Sequence, residues 1–212
     1  MKKLIIPLLF IFAIGILAAV ESEPSEIVGY VKYPCVAGLN HIALPMDQGI
    51  TMASDWAAGY PGLLDAMSYW DAASQSWVTA INLGYWDGDF PVHPGSVMMI
   101  YALNPINAYS IGNIPATNAT YNLLTGLNDI MIPLNRSDIN MAGQVGTEIG
   151  VLDAMSYWDN NTQSWVTAIN LGYWDGDFAV AIGSPMQVYA LSPVTWPSRF
   201  ASKPVSPAKQ SK

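Results

Sequence analysis

The chain has 212 residues, of which 51% are hydrophobic and 11% charged, and its formal net charge is −8. This apolar content suffices for a packed core and excludes a globally disordered chain. Between residues 33 and 193 the only Lys or Arg is Arg136. Such a body cannot neutralise a run of phosphates, which argues against nucleic acid and anionic membrane surfaces as partners.

Residues 1–22 have the pattern of a secretory signal peptide. Lys2 and Lys3 form a basic start, residues 4–17 form an apolar run, and small and polar residues follow. The alternative is an uncleaved anchor, because residues 4–20 are almost long enough to span a membrane. We expect cleavage after Ala19 or Ser22, which predicts a secreted, extracytoplasmic protein without a membrane span, at the cell surface or in the periplasm.

One stretch of the chain occurs twice, as residues 64–90 and 152–178. The two copies differ at only three positions: Ala72, Ala73 and Ser74 become Asn160, Asn161 and Thr162. The duplication predicts two tandem homologous units, 27–105 and 121–193, joined by a linker at 106–120 and followed by a mobile Pro/Ser/Lys-rich tail at 194–212. We expect each unit to be mainly β with one short helix, and the pair to pack with pseudo-two-fold symmetry.

Each unit is predicted to begin with short apolar strands, at 27–33 and 38–45 in the first unit and at 126–133 in the second. A helix of about two turns is then expected in the first unit, with Thr51 as its N-cap. Asn140 is the matching N-cap in the second unit, where Gly143 and Gly146 weaken the helix.

The repeated stretch predicts a β-hairpin with a four-residue loop after Asp71. In this register Trp70 faces Trp77 and Ser68 faces Thr79. The three substitutions between the copies fall in the loop, as expected for an exposed turn. The Trp- and Tyr-rich hairpin surfaces are candidates for the contact between the units.

After the hairpin, residues 82–89 are predicted to form a loop, because they are rich in Gly, Asp and Asn. A short strand is expected at 90–92, and a strand buried on both faces at 97–103. The second unit repeats these elements at 178–180 and 186–191.

Cys35 is the only cysteine of the chain, so an intramolecular disulfide is excluded. Alignment of the two units places Cys35 opposite Leu123. A position that accepts leucine is a packing position, which favours a buried thiol over a reactive one.

Several short motifs of the first unit resemble a module of secreted bacterial proteins. They are VGYV at 28–31, GLNHIALP at 38–45, SYWD at 68–71 with Gln75 and Trp77, and the Pro94-Gly95 turn. The pattern is similar to that of largely uncharacterised exported proteins of Verrucomicrobia and their relatives. The resemblance implies an extracytoplasmic β-rich module and implies no activity. The second unit lacks the VGYV motif and the Pro-Gly turn.

The sequence offers little support for catalysis. His41 and His93 align with Asp129 and Ala181, so neither belongs to a duplicated site, and no G-x-S-x-G, H-E-x-x-H or P-loop motif is present. A hydrolase with paired carboxylates is the remaining enzymatic alternative, and its candidates are Asp65, Asp71, Asp87 and Asp89. We expect a protein that is not an enzyme.

Two binding sites are candidates in the repeated loop. Asp87 and Asp89, duplicated as Asp175 and Asp177, could supply oxygen ligands to Ca²⁺, although two aspartates around a glycine are also typical of an ordinary turn. The aromatic pairs of the same loops could stack on sugar rings, or they could be packing residues. These aromatic residues are Tyr85, Trp86, Tyr173 and Trp174.

The resulting hypothesis is an exported, acidic, non-enzymatic protein with a structural or adhesive role. The expected partners are an extracellular glycan or a surface protein, with self-association as a further mode. The alternative functions are a carbohydrate-binding module that uses the loop aromatics and a small secreted hydrolase.

Overall fold

The computed structural model describes residues 28–197. The predicted signal peptide and the tail from residue 198 onward lie outside these residues. Within the described range, neither of the two short helices is long and apolar enough to cross a membrane.

Both units contain the same series of seven strands and one helix. In the first unit these are β1 (Val28–Cys35), β2 (Gly38–Leu44), α1 (Ala53–Ala57), β3 (Leu64–Asp71), β4 (Ser76–Asn82), β5 (Trp86–Asp87), β6 (Ser96–Ala102) and β7 (Ile106–Asn113). In the second unit they are β8 (Tyr121–Leu123), β9 (Gly126–Met131), α2 (Ala142–Ile149), β10 (Leu152–Asp159), β11 (Ser164–Asn170), β12 (Trp174–Asp175), β13 (Pro185–Ala190) and β14 (Val194–Trp196).

Each unit is built on a five-stranded antiparallel sheet, with the order β2-β6-β3-β4-β5 in the first and β9-β13-β10-β11-β12 in the second. A separate two-stranded sheet joins the beginning and the end of each unit, as β1-β7 and β8-β14. The prediction of two tandem β-rich units with one short helix each is thus confirmed.

The elements at the ends of the units differ from the sequence-based boundaries. Residues 106–113, expected to belong to a linker, form β7 and pair with β1 along its whole length. Residues 194–196, expected to start the tail, form β14 and pair with β8. Sequence reasoning missed both strands because their partners lie far away in the chain. Residues 90–92 and 178–180, predicted to be short strands, make only isolated bridges at Pro91 and Ala179.

The predicted hairpin is confirmed in register. Trp70 pairs with Trp77 and Ser68 with Thr79, and β10 and β11 repeat this pairing. The Asp71 carboxylate accepts the Ala73 amide at 3.0 Å, as expected for an Asx-turn. The loop that carries the three substitutions therefore lies at the exposed tip of the hairpin.

The helices begin one residue later than predicted, at the N-caps Met52 and Met141 instead of Thr51 and Asn140. The prediction of a weaker second helix is also wrong, because α2 has eight residues and α1 has five. The reason is tertiary packing: a Cβ at Gly146 would overlap the indole of Trp174, so glycine lets this ring lie directly on the helix backbone.

One face of each large sheet forms the core of its unit and is covered by the helix. Met67 and Ala80 of the first unit and Met155 and Ala168 of the second are fully buried on this face. Cys35 belongs to the first core, and burial raises the pKa of its thiol to about 11. A buried, protonated thiol agrees with the packing role predicted from Leu123.

The two units contact each other through reciprocal hydrogen bonds. Gln75 at the tip of the first hairpin accepts the Leu127 amide at 2.8 Å and donates to its carbonyl at 2.9 Å. Gln163 makes the same two bonds to Leu39, at 2.8 and 2.9 Å. The Trp70 indole also donates to the Leu127 carbonyl, as Trp158 does to Leu39. These exchanged contacts relate the units by an approximate two-fold axis.

A glycine is required where each glutamine reaches the other unit. Gly38 and Gly126 have φ angles of 108° and 104°, which side chains rarely adopt. A Cβ at Gly38 would stand 2.6 Å from Gln163 Oε1, and one at Gly126 would overlap Gln75 in the same way. Two tyrosines complete the contact, since Tyr33 donates to the Gly183 carbonyl at 2.8 Å and Tyr121 donates to the Gly95 carbonyl at 2.9 Å. Burial raises the pKa of both hydroxyls.

Candidate binding surfaces

The four predicted aromatic residues divide into two classes in the structure. Tyr85 and Tyr173 are each 64% exposed. Trp86 and Trp174 are partly buried and pack against the core of their own unit. Trp86 and Trp174 therefore offer a sugar less surface than the two tyrosines do, although Trp174 lines an open pocket together with Tyr173.

The predicted calcium ligands lie on different sides of their loop. Asp89 Oδ1 accepts the amide of Ser54 at 3.1 Å, and Asp177 Oδ1 accepts that of Gly143 at 2.7 Å. Both aspartates thus cap the first turn of the neighbouring helix, a position where carboxylates are stabilising. Asp87 is exposed on β5. Among residues 28–197, no group of three or more His, Cys, Asp or Glu side chains is arranged to hold a metal ion.

The two histidines and Asp71 lie in different environments. His41 is buried between the units, with Nε2 3.6 Å from Asp129 Oδ2. His93 is exposed and lies in the loop before β6. Asp71 is a turn residue, and its bonds to the Ser74 hydroxyl and the Ala73 amide lower its pKa. Asp71 and Asp89 thus both accept hydrogen bonds from nearby backbone amides.

The surface that sequence reasoning missed is a row of side chains across the outer face of each sheet. In the first unit, cross-strand pairing brings together one residue from every strand: Leu39, Tyr101, Ala66, Ile81 and Asp87. The exposed fractions of Leu39, Tyr101 and Ile81 are 37%, 42% and 48%. The strand 97–103 was predicted to be buried on both faces. This prediction is wrong for the end of the strand, because Tyr101 and Leu103 are exposed.

The second unit carries the same row, made of Leu127, Tyr189, Ala154, Ile169 and Asp175. Exposed leucines two residues beyond the tyrosine and the isoleucine extend both rows: Leu83, Leu103, Leu171 and Leu191. We call these two surfaces the outer apolar faces. Alternation along β4 predicts that Ile81 lies on this side of the sheet. Its neighbours Leu39 and Tyr101 come from β2 and β6, and they could not be predicted because the order of the strands in the sheet differs from their order in the chain.

The fold and these surfaces define a class: a β-rich protein of two pseudo-symmetric units, each with one apolar face open to solvent. The chain matches no protein-family model, and no curated protein and no solved structure is significantly similar to it. The resemblance to exported proteins of Verrucomicrobia therefore stays a prediction.

Proposed function

We propose that this protein is an exported, non-enzymatic adhesive or cell-surface interaction protein with two equivalent binding faces. The observation that supports this most directly is the pair of outer apolar faces. A contiguous apolar surface that remains exposed on a soluble β-sheet commonly marks a contact with another molecule. Its presence in both units is the second supporting feature.

Two equivalent faces on one molecule favour adhesion because they make the protein bivalent. A second attachment by the same molecule occurs at high effective concentration, so avidity exceeds the affinity of one face. The glutamine contacts between the units hold the faces in a fixed mutual orientation. A bivalent protein of this kind could link two surfaces without any catalytic step.

Export is supported by the signal-like sequence at 1–22 and is tested on the expressed full-length protein. We expect the protein outside the cytoplasm, with a mass reduced by the first 19 or 22 residues. Mass spectrometry of the periplasmic, medium and cytosolic fractions measures both properties. An uncleaved protein in the cytosol would contradict export.

Bivalency is tested by agglutination of beads coated with bacterial cell-envelope fragments. We expect the wild type to cross-link the beads. The double substitution Tyr101→Ser and Ile81→Ser should leave binding through the second unit but abolish cross-linking, as should Tyr189→Ser with Ile169→Ser. All four substitutions together should abolish binding.

Tyr30→Ser is the matched control for agglutination, because Tyr30 is an exposed tyrosine of β1 outside both faces. It should leave agglutination unchanged. Absence of binding by the wild type, or agglutination by the fourfold variant, would refute the adhesive function.

Carbohydrate binding is the second candidate, favoured by the exposure of Tyr85 and Tyr173. A tyrosine ring can stack on the apolar face of a sugar, and the nearby Asp87 can accept hydrogen bonds from the hydroxyl groups of the sugar. The negative charge of the chain favours neutral polysaccharides over anionic ones. Titration with a panel of neutral polysaccharides should give saturable binding that Tyr85→Ala with Tyr173→Ala abolishes. A panel without any binding would eliminate this candidate.

A further inference from the structure

A cavity of about 330 Å³ lies where the first hairpin and the loop before β6 meet β8 and β9 of the second unit. This volume is within the range of small-molecule pockets. The side chains that matter for its chemistry are four aromatic rings, a histidine and a carboxylate: Tyr69, Trp70, Phe90, Tyr121, His93 and Asp129. We propose that this junction cavity binds one small organic cation, an ammonium or methylated ammonium compound.

The first argument is the carboxylate of Asp129. Its side chain is only 6% exposed, and neither oxygen has a hydrogen-bond partner within the protein. The nearest basic atom is His41 Nε2 at 3.6 Å, which is beyond hydrogen-bonding distance. His41 therefore contacts Asp129 only at ion-pair distance, and its two ring nitrogens also lack hydrogen-bond partners. A buried carboxylate that accepts no hydrogen bond is costly, and a cation in the cavity would supply a further favourable interaction.

The second argument is the aromatic lining. Aromatic faces attract cations, and the attraction increases when the site excludes water. The rings are also held in place: the Trp70 indole donates to the Leu127 carbonyl at 2.8 Å, and the rings of Tyr69 and Phe90 lie 4.9 Å apart. Side chains that are already fixed lose little entropy on binding.

The third argument separates an organic cation from a metal ion. Ca²⁺ takes six or more oxygen ligands, and this cavity offers the single carboxylate of Asp129. An alkylammonium group needs one charge partner and an apolar or aromatic surround, which the cavity provides. The excess of acidic over basic residues in the chain also favours the approach of a cation.

The fourth argument comes from the duplication. Asp129 aligns with His41, and His93 aligns with Ala181, so two positions that distinguish the units come together in one cavity. The equivalent place across the two-fold axis therefore has His41 in place of the carboxylate. The structure thus assigns one cation site to each molecule, in contrast to the two outer apolar faces.

Isothermal titration calorimetry of the full chain with choline tests the proposal, with dimethylbutanol, the neutral carbon isostere of choline, as the uncharged probe. We expect saturable binding of choline at one site and no measurable binding of dimethylbutanol. Asp129→Asn keeps the shape of the side chain and should weaken choline binding by about tenfold or more, because contacts with a desolvated charge are strong. Circular dichroism and thermal melting check that the variant is folded.

Trp70→Phe and Trp158→Phe form a matched pair of variants. Each removes one indole bond between the units, to Leu127 or to Leu39, but only Trp70 lines the cavity. Trp70→Phe should therefore weaken choline binding, and Trp158→Phe should not. The proposal fails if choline does not bind, if dimethylbutanol binds equally well, if Asp129→Asn binds like the wild type, or if Trp158→Phe weakens binding as much as Trp70→Phe.

Discussion

Gln75 and Gln163 combine an unfavourable backbone conformation with a contact between the units. Their φ angles are 53° and 52°, and within residues 28–197 they are the only non-glycine residues with positive φ. This conformation costs a non-glycine residue roughly 1–2 kcal/mol. Each glutamine offsets that cost with two hydrogen bonds to a strand of the other unit. The strain is therefore located where the side chain is needed.

We expect Gln75→Ala to lower the free energy of unfolding by about 1–3 kcal/mol, because it leaves the backbone groups of Leu127 with fewer partners and keeps the strained turn. Gln75→Gly removes the same bonds but relieves the strain, and it should cost less. Urea denaturation measures both variants. Equal stability of the alanine variant and the wild type would contradict a structural role for this side chain.

Glu148 makes the stability of the second unit dependent on pH. Arg136 donates to both of its carboxylate oxygens, and the Trp196 indole donates to Oε1 at 2.9 Å. The hydrogen bond from Arg136 is the main reason that the pKa of Glu148 lies below its ordinary value of 4.5. Because the folded state has the lower pKa, this contribution to stability is complete above 4.5 and is lost as the pH falls through the folded pKa.

We therefore expect the urea midpoint to decrease as the pH is lowered from about 5 to about 3. Glu148→Gln, which keeps an acceptor for Trp196 but cannot lose a charge, should reduce this dependence. Some dependence should remain, because the pKa values of Asp71, Asp138 and Asp159 are also lowered. An unchanged pH dependence in Glu148→Gln would show that the carboxylate of Glu148 contributes nothing.

At the scale of elements, the Asp-Gly-Asp loop connects the edge of the sheet to the start of the helix. Asp89 bonds to the first turn of α1, whereas Asp87 pairs with Ile81 on the outer side. We expect Asp89→Ala to destabilise the protein by about 0.5–2 kcal/mol, as loss of a helix cap does. Asp87→Ala is the matched control and should be close to neutral, since Asp87 is exposed. Thermal melting compares the two.

The calcium hypothesis predicts a different result for variants of these loops. If the Asp-Gly-Asp loops bind Ca²⁺, added calcium raises the melting temperature of the wild type, and Asp87→Ala combined with Asp175→Ala abolishes this increase, since the candidate ligands are duplicated. If Asp89 is only a helix cap, calcium leaves both melting curves unchanged. A calcium titration monitored by thermal melting therefore separates the two roles of the loop.

At the scale of the whole molecule, the exchanged contacts couple the units. Ala43 and Val97 of the first unit form a buried cluster with Met131 of the second, next to the glutamine and tyrosine bonds. We expect a single thermal transition, because each unit loses buried surface if the other unfolds. Differential scanning calorimetry tests this, and the double variant Gln75→Ala with Gln163→Ala should lower the transition temperature or split the transition in two. Two transitions in the wild type would contradict coupling.

The repeated hairpin was predictable because its signals are local. Alternation places Met67 and Ala80 on one face and Thr79 and Ile81 on the other, and the turn after Asp71 sets the register. The cap from Asp89 and the role of Gly146 were not predictable, because both depend on contacts between residues more than twenty positions apart. The expectation that the second helix is the weaker one was wrong for the same reason, although the helix itself was predicted.

The sequence by itself determined the two-unit organisation, the β-rich class, the hairpins and the packing role of Cys35, because repeats, periodicity and turn residues act over short distances along the chain. Only the tertiary structure decided which aromatic residues are exposed, which aspartates cap helices and which side chains meet between the units. Strand order places β2 beside β6 and brings Asp129 to the first hairpin, and neither arrangement follows from local sequence. Both proposed sites, the outer apolar faces and the junction cavity, are products of that long-range order.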